Sequence, residues 1–581
     1  MLKMWKQYLA PYKKWVLIVL VLQTLQTACT IYLPNMNAHI IDNGVTKGDM
    51  NFIVREGSLM LVITALQVVL AIVATYFGAK TALRMALDIR HNIYEKVQSF
   101  SVREVYKFGA PTLITRSTND IQQIGQISVF LMTMIVSAPI MLVGGVIMSL
   151  EQSVKLSGVI AATMPVIIIV AVIFLMKATP FFKVFQKATD RLNEVLREQI
   201  SGTRVVRAFV KEKHEEQRFA EANDRLYSLN IKVGRLMSLL FPIFMLIINI
   251  AVLAIMWFGG ILIDNGNMEI GAITAFITYI MYIMFSVLMS SMVFMFLPRA
   301  EVSAKRIQEV LDTETTVELN ENPVHIDNPK GLVEFKDVAF RYAGASSSVL
   351  EGINFVAEPG KTTAIIGSTG SGKSTLLNLI PRLYDATGGQ ILFDGVNLRD
   401  LNLDELNSYI SVIPQKSFLF SGTVADNILF GKDNATEEEM YEALEIAQAK
   451  QFLEEKSENN QKPLDLQVSQ GGTNFSGGQR QRLSIARAVV RKPKVYLFDD
   501  SFSALDYTTD SLLRAALKTV TADATVIIVA QRVSTIRHAD NILVINDGKI
   551  VGSGTHEDLI EKCKTYNEIV NSQLSAEEAL R

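Results

Sequence analysis

The chain has 581 residues, with 56 basic and 58 acidic side chains for a net charge of -2, and 49% of it is hydrophobic. That length exceeds what a single core organises, and a near-neutral total gives no electrostatic ground for nucleic-acid binding. The two cysteines, Cys29 in an apolar run and Cys563 near the C-terminus, offer no framework for a disulfide-held secreted fold.

The net charge averages two unlike halves, because the character of the sequence changes near residue 300. Before that point come largely apolar runs at 16–32, 58–79, 127–150, 157–176, 239–263 and 270–297. Most reach the roughly 20 residues a helix needs to cross about 30 Å of hydrocarbon. The first has no small-residue cleavage site behind it and reads as a retained span rather than a signal peptide. Six spans, an even number, place both ends of the membrane half on one side. Lys3, Lys6, Lys13 and Lys14 precede the first span, and two long connections are rich in Lys and Arg, whereas 151–155 and 264–269 are short and nearly free of positive charge. The basic side is the cytoplasmic one, so both termini are expected there.

The two long basic connections keep helical periodicity, as in Arg84-Met85-Ala86-Leu87-Asp88-Ile89-Arg90. They read as spans continuing into the cytoplasm, with turns expected near 105–111 and 209–214 that would touch the soluble half. Solvated helices lying near anionic lipid are the alternative. No Asp, Glu, Lys or Arg sits well inside a span; Gln23, Gln26, Gln67 and Asn249 are the polar exceptions. The pathway therefore lacks the buried charge of a proton-coupled carrier. The last span carries Phe276, Tyr279, Met281, Tyr282, Met284, Phe285, Met289, Met292, Phe294, Met295 and Phe296. Such polarizable side chains suit an adaptable apolar cavity, and they suit ordinary helix packing equally well.

A polar linker at 311–330, holding Pro323 and Pro329, leads to an alternating segment at 333–342 that reads as an edge strand ending in an exposed tyrosine, Tyr342. That ring is a candidate to stack on adenine, or else a packing residue. The run Ala364-Ile365-Ile366-Gly367-Ser368-Thr369-Gly370-Ser371-Gly372-Lys373-Ser374-Thr375 then has the strand, G-x-x-x-x-G-K-[ST], helix order of a phosphate-binding loop. Gly367, Gly370 and Gly372 permit positive φ and close backbone approach, so that successive N–H groups can wrap a phosphate. Lys373 supplies a mobile charge for the β- and γ-phosphates, and Ser374 a hydroxyl for the magnesium that bridges them.

Further on, Gln415 ends an apolar strand and would contact the same magnesium, and Val495-Tyr496-Leu497-Phe498-Asp499-Asp500 is a buried strand ending in two carboxylates. Between them, Ser476-Gly477-Gly478-Gln479 opens a second helix suited to phosphate. One chain thus holds two different grips on a γ-phosphate, and the simplest geometry using both is a pair of such domains completing each other's sites.

With these motifs in order, the chain resembles an ATP-binding cassette exporter half over essentially its whole length. The resemblance implies an all-α six-helix transmembrane domain of the type I exporter class at 1–310, the linker at 311–330, an α/β P-loop nucleotide-binding domain at 331–575 and a tail at 576–581. It implies ATP and Mg2+ as cofactors, with Gly367 to Thr375 as Walker A, Gln415 as the Q-loop, Ser476 to Gln479 as the signature, Val495 to Asp499 as Walker B and Ser503-Ala504-Leu505-Asp506 as the D-loop. Phe475 stands where the family usually has leucine.

Two departures matter more. The family's catalytic glutamate is here Asp500, and its switch histidine is here Gln531. Aspartate is shorter by one methylene, about 1.5 Å of lost reach, and water-orienting geometry tolerates little displacement. Glutamine keeps a hydrogen-bond donor but carries no charge toward the γ-phosphate. The reading is a slowly hydrolysing site whose intact signature serves a non-identical partner half. This arrangement resembles the degenerate-site half of heterodimeric bacterial multidrug exporters, a multi-pass protein of the bacterial cytoplasmic membrane moving hydrophobic small molecules or lipids. A homodimeric lipid flippase, a peptide exporter and a regulatory, non-transporting cassette protein are the alternatives.

Overall fold

The structure, a computed structural model, describes residues 1–134, 136–457 and 461–578, apart from the side chains at 2, 179, 182, 183, 292, 294, 295 and 574–578. Met292, Phe294 and Met295 of the aromatic span, and the last residues of the expected tail, therefore lie outside the described set. The chain forms two compact units: Met1–Ser99 with Phe108–Thr313, and Phe100–Lys107 with Glu314–Arg581.

The first unit is helical. Among the described residues, six stretches are long and apolar enough to cross a membrane: Lys3–Val45, Met50–Gln98, Ala110–Gln152, Val154–Ala178, Glu212–Asp264 and Ile270–Leu311. Each contains one of the six apolar runs of the sequence. Met50–Gln98 is 49 residues long, about 73 Å at the α-helical rise and more than twice the hydrocarbon thickness. Its start is fixed by Asp49, whose carboxylate accepts from Phe52 N, and Ser153 caps Val154–Ser201 in the same way through Leu156 N.

The turns differ from expectation by a few residues. The first is a short helix, Val102–Phe108, ended by Gly109 at φ +76 before Pro111 opens the next helix, Ala110–Thr115. The second is the short helix Thr203–Ala208, and the long helix already begins at Glu212, so 212–214 are helical rather than turn.

Apolar packing joins the later helices. Leu156 and Ile160 meet Ala251 and Ile255 of Glu212–Asp264 and Phe276, Ile280 and Ile283 of Ile270–Leu311. Two of the polar exceptions in the spans pin helices together, Gln23 Oε1 accepting from Ser137 Oγ at 2.8 Å and Gln67 Nε2 donating to Thr30 Oγ1 at 2.9 Å, whereas Gln26 Nε2 donates to Thr30 Oγ1 of its own helix at 3.2 Å. Asn249 Nδ2 donates back to Met245 O at 2.8 Å. A pin not expected from the sequence joins the first and last helices, where the buried Asp42 carboxylate accepts from Gly271 N at 2.6 Å.

The second unit contains two main sheets. Its strands are β1 (Val333–Phe340), β2 (Leu350–Ala357), β3 (Thr362–Gly367), β4 (Gly388–Phe393), β5 (Val396–Asn397), β6 (Ile410–Ile413), β7 (Gly422–Thr423), β8 (Gln467–Val468), β9 (Val495–Asp499), β10 (Thr525–Val529), β11 (Asn541–Asn546) and β12 (Lys549–Gly554). The orders are β2-β1-β4-β5 and β12-β11-β3-β10-β9-β6, with β7 and β8 as a separate pair. The six-stranded sheet is parallel except for β12. Its near-continuous apolar strands reflect burial on both faces.

β1 is not the expected edge strand, because it pairs antiparallel with both β2 and β4. Its alternation arises because Val333, Phe335, Val338 and Phe340 are buried while the intervening residues are not.

Candidate functional site

β3, β9, β10 and β6 run parallel and end together, so the residues after them converge at the carboxyl edge of the sheet. After β3 comes the phosphate loop. Gly370 and Gly372 adopt φ +86 and +101, which only glycine takes without strain. Gly367 does not use a positive φ; glycine is needed there because a Cβ would collide with the Ile545 carbonyl oxygen of neighbouring β11.

Lys373 Nζ donates to the carbonyl oxygens of Gly367 and Ser368 at 3.0 and 2.8 Å, within its own loop. Burial pulls this ammonium below the ordinary lysine range, against the opposing fields of Asp500 and Asp499. Ser371 Oγ is buried without a hydrogen-bond partner among the described residues, an unsatisfied donor in the floor of the loop. A phosphate oxygen fits that donor, and the ordinary cost of leaving it unmade, about 1–3 kcal/mol, favours such a ligand.

Ser374 Oγ donates to Asp499 Oδ1 at 2.9 Å. Burial lifts the Asp499 carboxyl above the usual carboxylate range, the Ser374 hydrogen bond opposes the lift, and the neighbouring Asp500 charge adds to it. Two hard oxygen ligands side by side, on a carboxylate that solvent does not stabilise, are the donor set a divalent cation such as Mg2+ takes. The chemistry of the site therefore fits a magnesium nucleotide.

Asp500 is the hub of the rest. It is 8% exposed, sits at φ +48, and its Oδ2 accepts from Gln415 Nε2 at 3.2 Å and from Gln531 Nε2 at 2.9 Å. Two neutral amides, one from the end of β6 and one from the end of β10, thus converge on a single carboxylate oxygen. An aspartate tolerates this left-handed backbone better than most residues do. Ser501, which nothing in the sequence marks, holds the turn by donating from Oγ to Ile413 O at 2.8 Å.

Tyr342 lies past the end of β1, half-exposed, with its hydroxyl 3.0 Å from Thr375 Oγ1 and its ring edge-on to Phe340 and Tyr384. The ring is thereby fixed beside the phosphate loop. Tyr384, one of its supports, is marked by nothing in the sequence.

The signature residues form a separate group. Ser476 and Gln479 close a reciprocal capping box at the start of Gly477–Val489. Gly477 has open space around its missing Cβ, and Gly478 lies against the D-loop, where a Cβ would stand 3.1 Å from Ala504 O. None of the four hydrogen-bonds to the phosphate loop among the described residues. Phe475, in place of leucine, is buried against Phe452 with Lys456 Nζ 4.8 Å from its ring centre, so the larger side chain is accommodated.

Comparison with known proteins agrees with this geometry. The family described as ABC transporter transmembrane region matches residues 16–287, and the family described as ABC transporter matches residues 350–503. An uncharacterized ABC transporter ATP-binding protein of Mycobacterium tuberculosis (strain ATCC 25618 / H37Rv) is 45% identical over 577 residues, covering 99% of this chain and 98% of its own length. A putative multidrug export ATP-binding/permease protein of Staphylococcus aureus (strain NCTC 8325 / PS 47) is 29% identical, covering 99% of this chain and 100% of its own. Among solved structures, a bacterial Atm1-family ABC exporter with ATP bound superposes with a TM-score of 0.78 at 23% identity, over 97% of this chain and 98% of that one.

Proposed function

The chain belongs to the ABC transporter family, and on that premise we propose that it is one half of a heterodimeric ATP-driven exporter of hydrophobic or amphipathic compounds, working in the bacterial cytoplasmic membrane with both termini in the cytoplasm. It binds MgATP between Tyr342, the loop Gly367 to Thr375 and Asp499, hydrolyses it slowly, and lends Ser476 to Gln479 to the active site of a non-identical partner.

The observation that carries this reading is the state of Asp500. Its Oδ2 is shared by Gln415 and Gln531, both neutral amides at hydrogen-bonding distance. A general base needs a free oxygen within reach of the attacking water, and transition-state charge on the γ-phosphate calls for a nearby cation. Here Oδ2 is taken by both amides, the side chain that carries the remaining oxygen is one methylene short, and the switch side chain carries no charge. Lys373 and Ser374 with Asp499 remain equipped to hold the triphosphate and its magnesium, which would neutralise charge on the β- and γ-phosphates. Binding is therefore preserved where turnover is weakened.

Cargo recognition falls to the first unit. Met281, Phe285 and Met289, four residues apart and so on one face of Ile270–Leu311, are exposed in the single chain. Phe276, Tyr279 and Met284 are instead buried in the helix packing. The exposed stripe supplies a deformable apolar wall.

The test is asymmetric mutagenesis of the assembled transporter. Changing the partner's catalytic glutamate to glutamine abolishes ATP turnover, whereas Asp500→Asn lowers it less than about twofold, because the lost base contributed little. Equal losses, or brisk ATPase and transport by this chain paired only with itself, would reject the heterodimeric reading.

A further inference from the structure

The short helix Val533–Ile536 follows Gln531 directly, and its N-cap residue, Arg532, makes no side-chain capping bond. The first N–H groups of a helix have no intrahelical acceptor and need one from elsewhere. That acceptor comes from the far end of the chain. Gln573, on the C-terminal helix Lys564–Glu578, accepts from Val533 N through Oε1 at 2.8 Å and donates from Nε2 to Gln531 O at 2.7 Å. Only one orientation of the amide satisfies both bonds, since a flip would set donor against donor and acceptor against acceptor.

The helix bearing Gln573 is itself anchored. Tyr566 is fully buried, with its hydroxyl 2.8 Å from His556 Nδ1, and Ile569 and Val570 pack on the cluster that contains Ala530, Val533 and Ile536. The amide is thus delivered from a fixed support to the backbone on both sides of the switch position.

We propose that Gln573 is a positioning residue for the γ-phosphate switch: by clamping the backbone at 531 and 533, it aims the Gln531 side chain at Asp500. Gln573 bonds main-chain groups at 531 and 533 and acts through the Gln531 side chain. The connection runs from Gln573 to the Gln531 backbone, then from the Gln531 amide to Asp500 at 2.9 Å and from Asp500 to Gln415 at 3.2 Å. The C-terminal helix thereby becomes part of the device that distinguishes ATP from ADP, a role that rests on the nucleotide site proposed above.

The experiment photolabels this polypeptide with 8-azido-ATP in the full-length transporter and measures how well MgATP and MgADP compete. Gln573→Met keeps the side-chain length without either hydrogen bond. It is expected to lower the ATP-over-ADP preference roughly three- to tenfold, the worth of one or two hydrogen bonds, with the ADP affinity unchanged. Gln573→Glu adds a signature that mere packing would not give. Its carboxylate accepts from Val533 N at any pH but donates to Gln531 O only when protonated, and an ordinary glutamate, with a pKa of about 4.3, is still ionised at pH 6, so the deficit seen at pH 8 should shrink at about pH 5, each value normalised to the wild type.

A wild-type preference left intact in Gln573→Met, or a Gln573→Glu deficit equal at both pH values, overturns the inference. A wild type that shows no labelling instead overturns the nucleotide site on which the inference rests, and one that labels but shows no preference for ATP overturns the inference itself. Should Gln573→Met fail to assemble, the two pH values of Gln573→Glu decide the matter within one folded protein.

Discussion

On the proposed reading Asp500 and Gln531 act on one point, since the amide of the second binds the carboxylate of the first at 2.9 Å. Restoring either alone should do little. Asp500→Glu lengthens the carboxylate but leaves a neutral switch, and Gln531→His supplies a chargeable switch but leaves the shorter carboxylate. The double change Asp500→Glu with Gln531→His is expected to raise turnover at this site by roughly 10²-fold or more, the low end of general-base contributions, read as phosphate release with the partner's glutamate changed to glutamine. Strict additivity of the two single changes would mean that they do not form a unit.

The proposed nucleotide site should also have a pH window for binding. Asp499, lifted by burial, takes up a proton at a higher pH than an ordinary carboxylate, and the protonated form no longer serves a cation. Lys373, lowered by burial, loses its proton at a lower pH than an ordinary lysine, and with it the charge that holds phosphate. MgATP affinity should therefore fall on both sides of neutrality. Asp499→Asn should remove the acid limb and Lys373→Met the alkaline one, in titrations of equilibrium labelling against pH.

At the scale of elements, the short helix Val102–Phe108 carries Glu104, which is 3% exposed. Its carboxylate accepts from Ser101 Oγ at 2.6 Å, Ser101 N at 3.0 Å and Thr316 Oγ1 at 2.9 Å, tying the segment to the start of the second unit. Burial pushes this carboxyl up, but the hydroxyl and N–H donors outweigh it and hold it below the usual range. A depressed carboxyl contributes stability above its unfolded value and loses that contribution as pH falls through the folded one. The attachment should thus persist to a pH below the ordinary glutamate value of about 4.3. Glu104→Ala leaves three donors unmet and should loosen the segment by about 1–3 kcal/mol. Faster hydrogen exchange at 100–108, with nucleotide labelling retained and cargo-stimulated ATPase lost, is the expected result.

The sequence made these elements legible to different degrees. Apolar runs long enough to span a bilayer and the glycine spacing from Gly367 to Gly372 are one-dimensional patterns, and six spanning helices and a strand-loop-helix unit appear where they were expected. What escaped is long-range: the hydrogen bond of Asp42 to Gly271 links residues 229 apart, and Thr316 meets Glu104 across 212. The pairing of β1 on both sides escaped for the same reason, since alternation reports which face is buried and says nothing of how many neighbours a strand has. The nearness of Gln415, Asp500 and Gln531 followed from the resemblance, but their sharing of one carboxylate oxygen is a matter of rotamers that no spacing encodes.

For the whole molecule, the two turns that leave the first unit are treated unequally. Residues 100–107 belong to the second compact unit of the same chain. The other turn, Thr203–Ala208 with the residues after it, has no buried residue in the short helix and leaves Phe209 and Val210 71% and 81% exposed. Val210 also sits at φ +52, a strained backbone for a β-branched residue. A strained turn presenting an aromatic and a branched side chain to water costs stability in an isolated chain, and that cost is offset if a second subunit covers the turn. The expected cover is the partner's nucleotide-binding domain, so that each cassette would respond to both halves of the membrane assembly. A cysteine at 209 should then cross-link to the partner chain and not within its own, and Phe209→Asp should leave folding and photolabelling intact while abolishing cargo-stimulated turnover. Cross-linking confined to the same chain, or full stimulation in Phe209→Asp, would place the cover elsewhere and leave the two halves to be coupled through their spans alone.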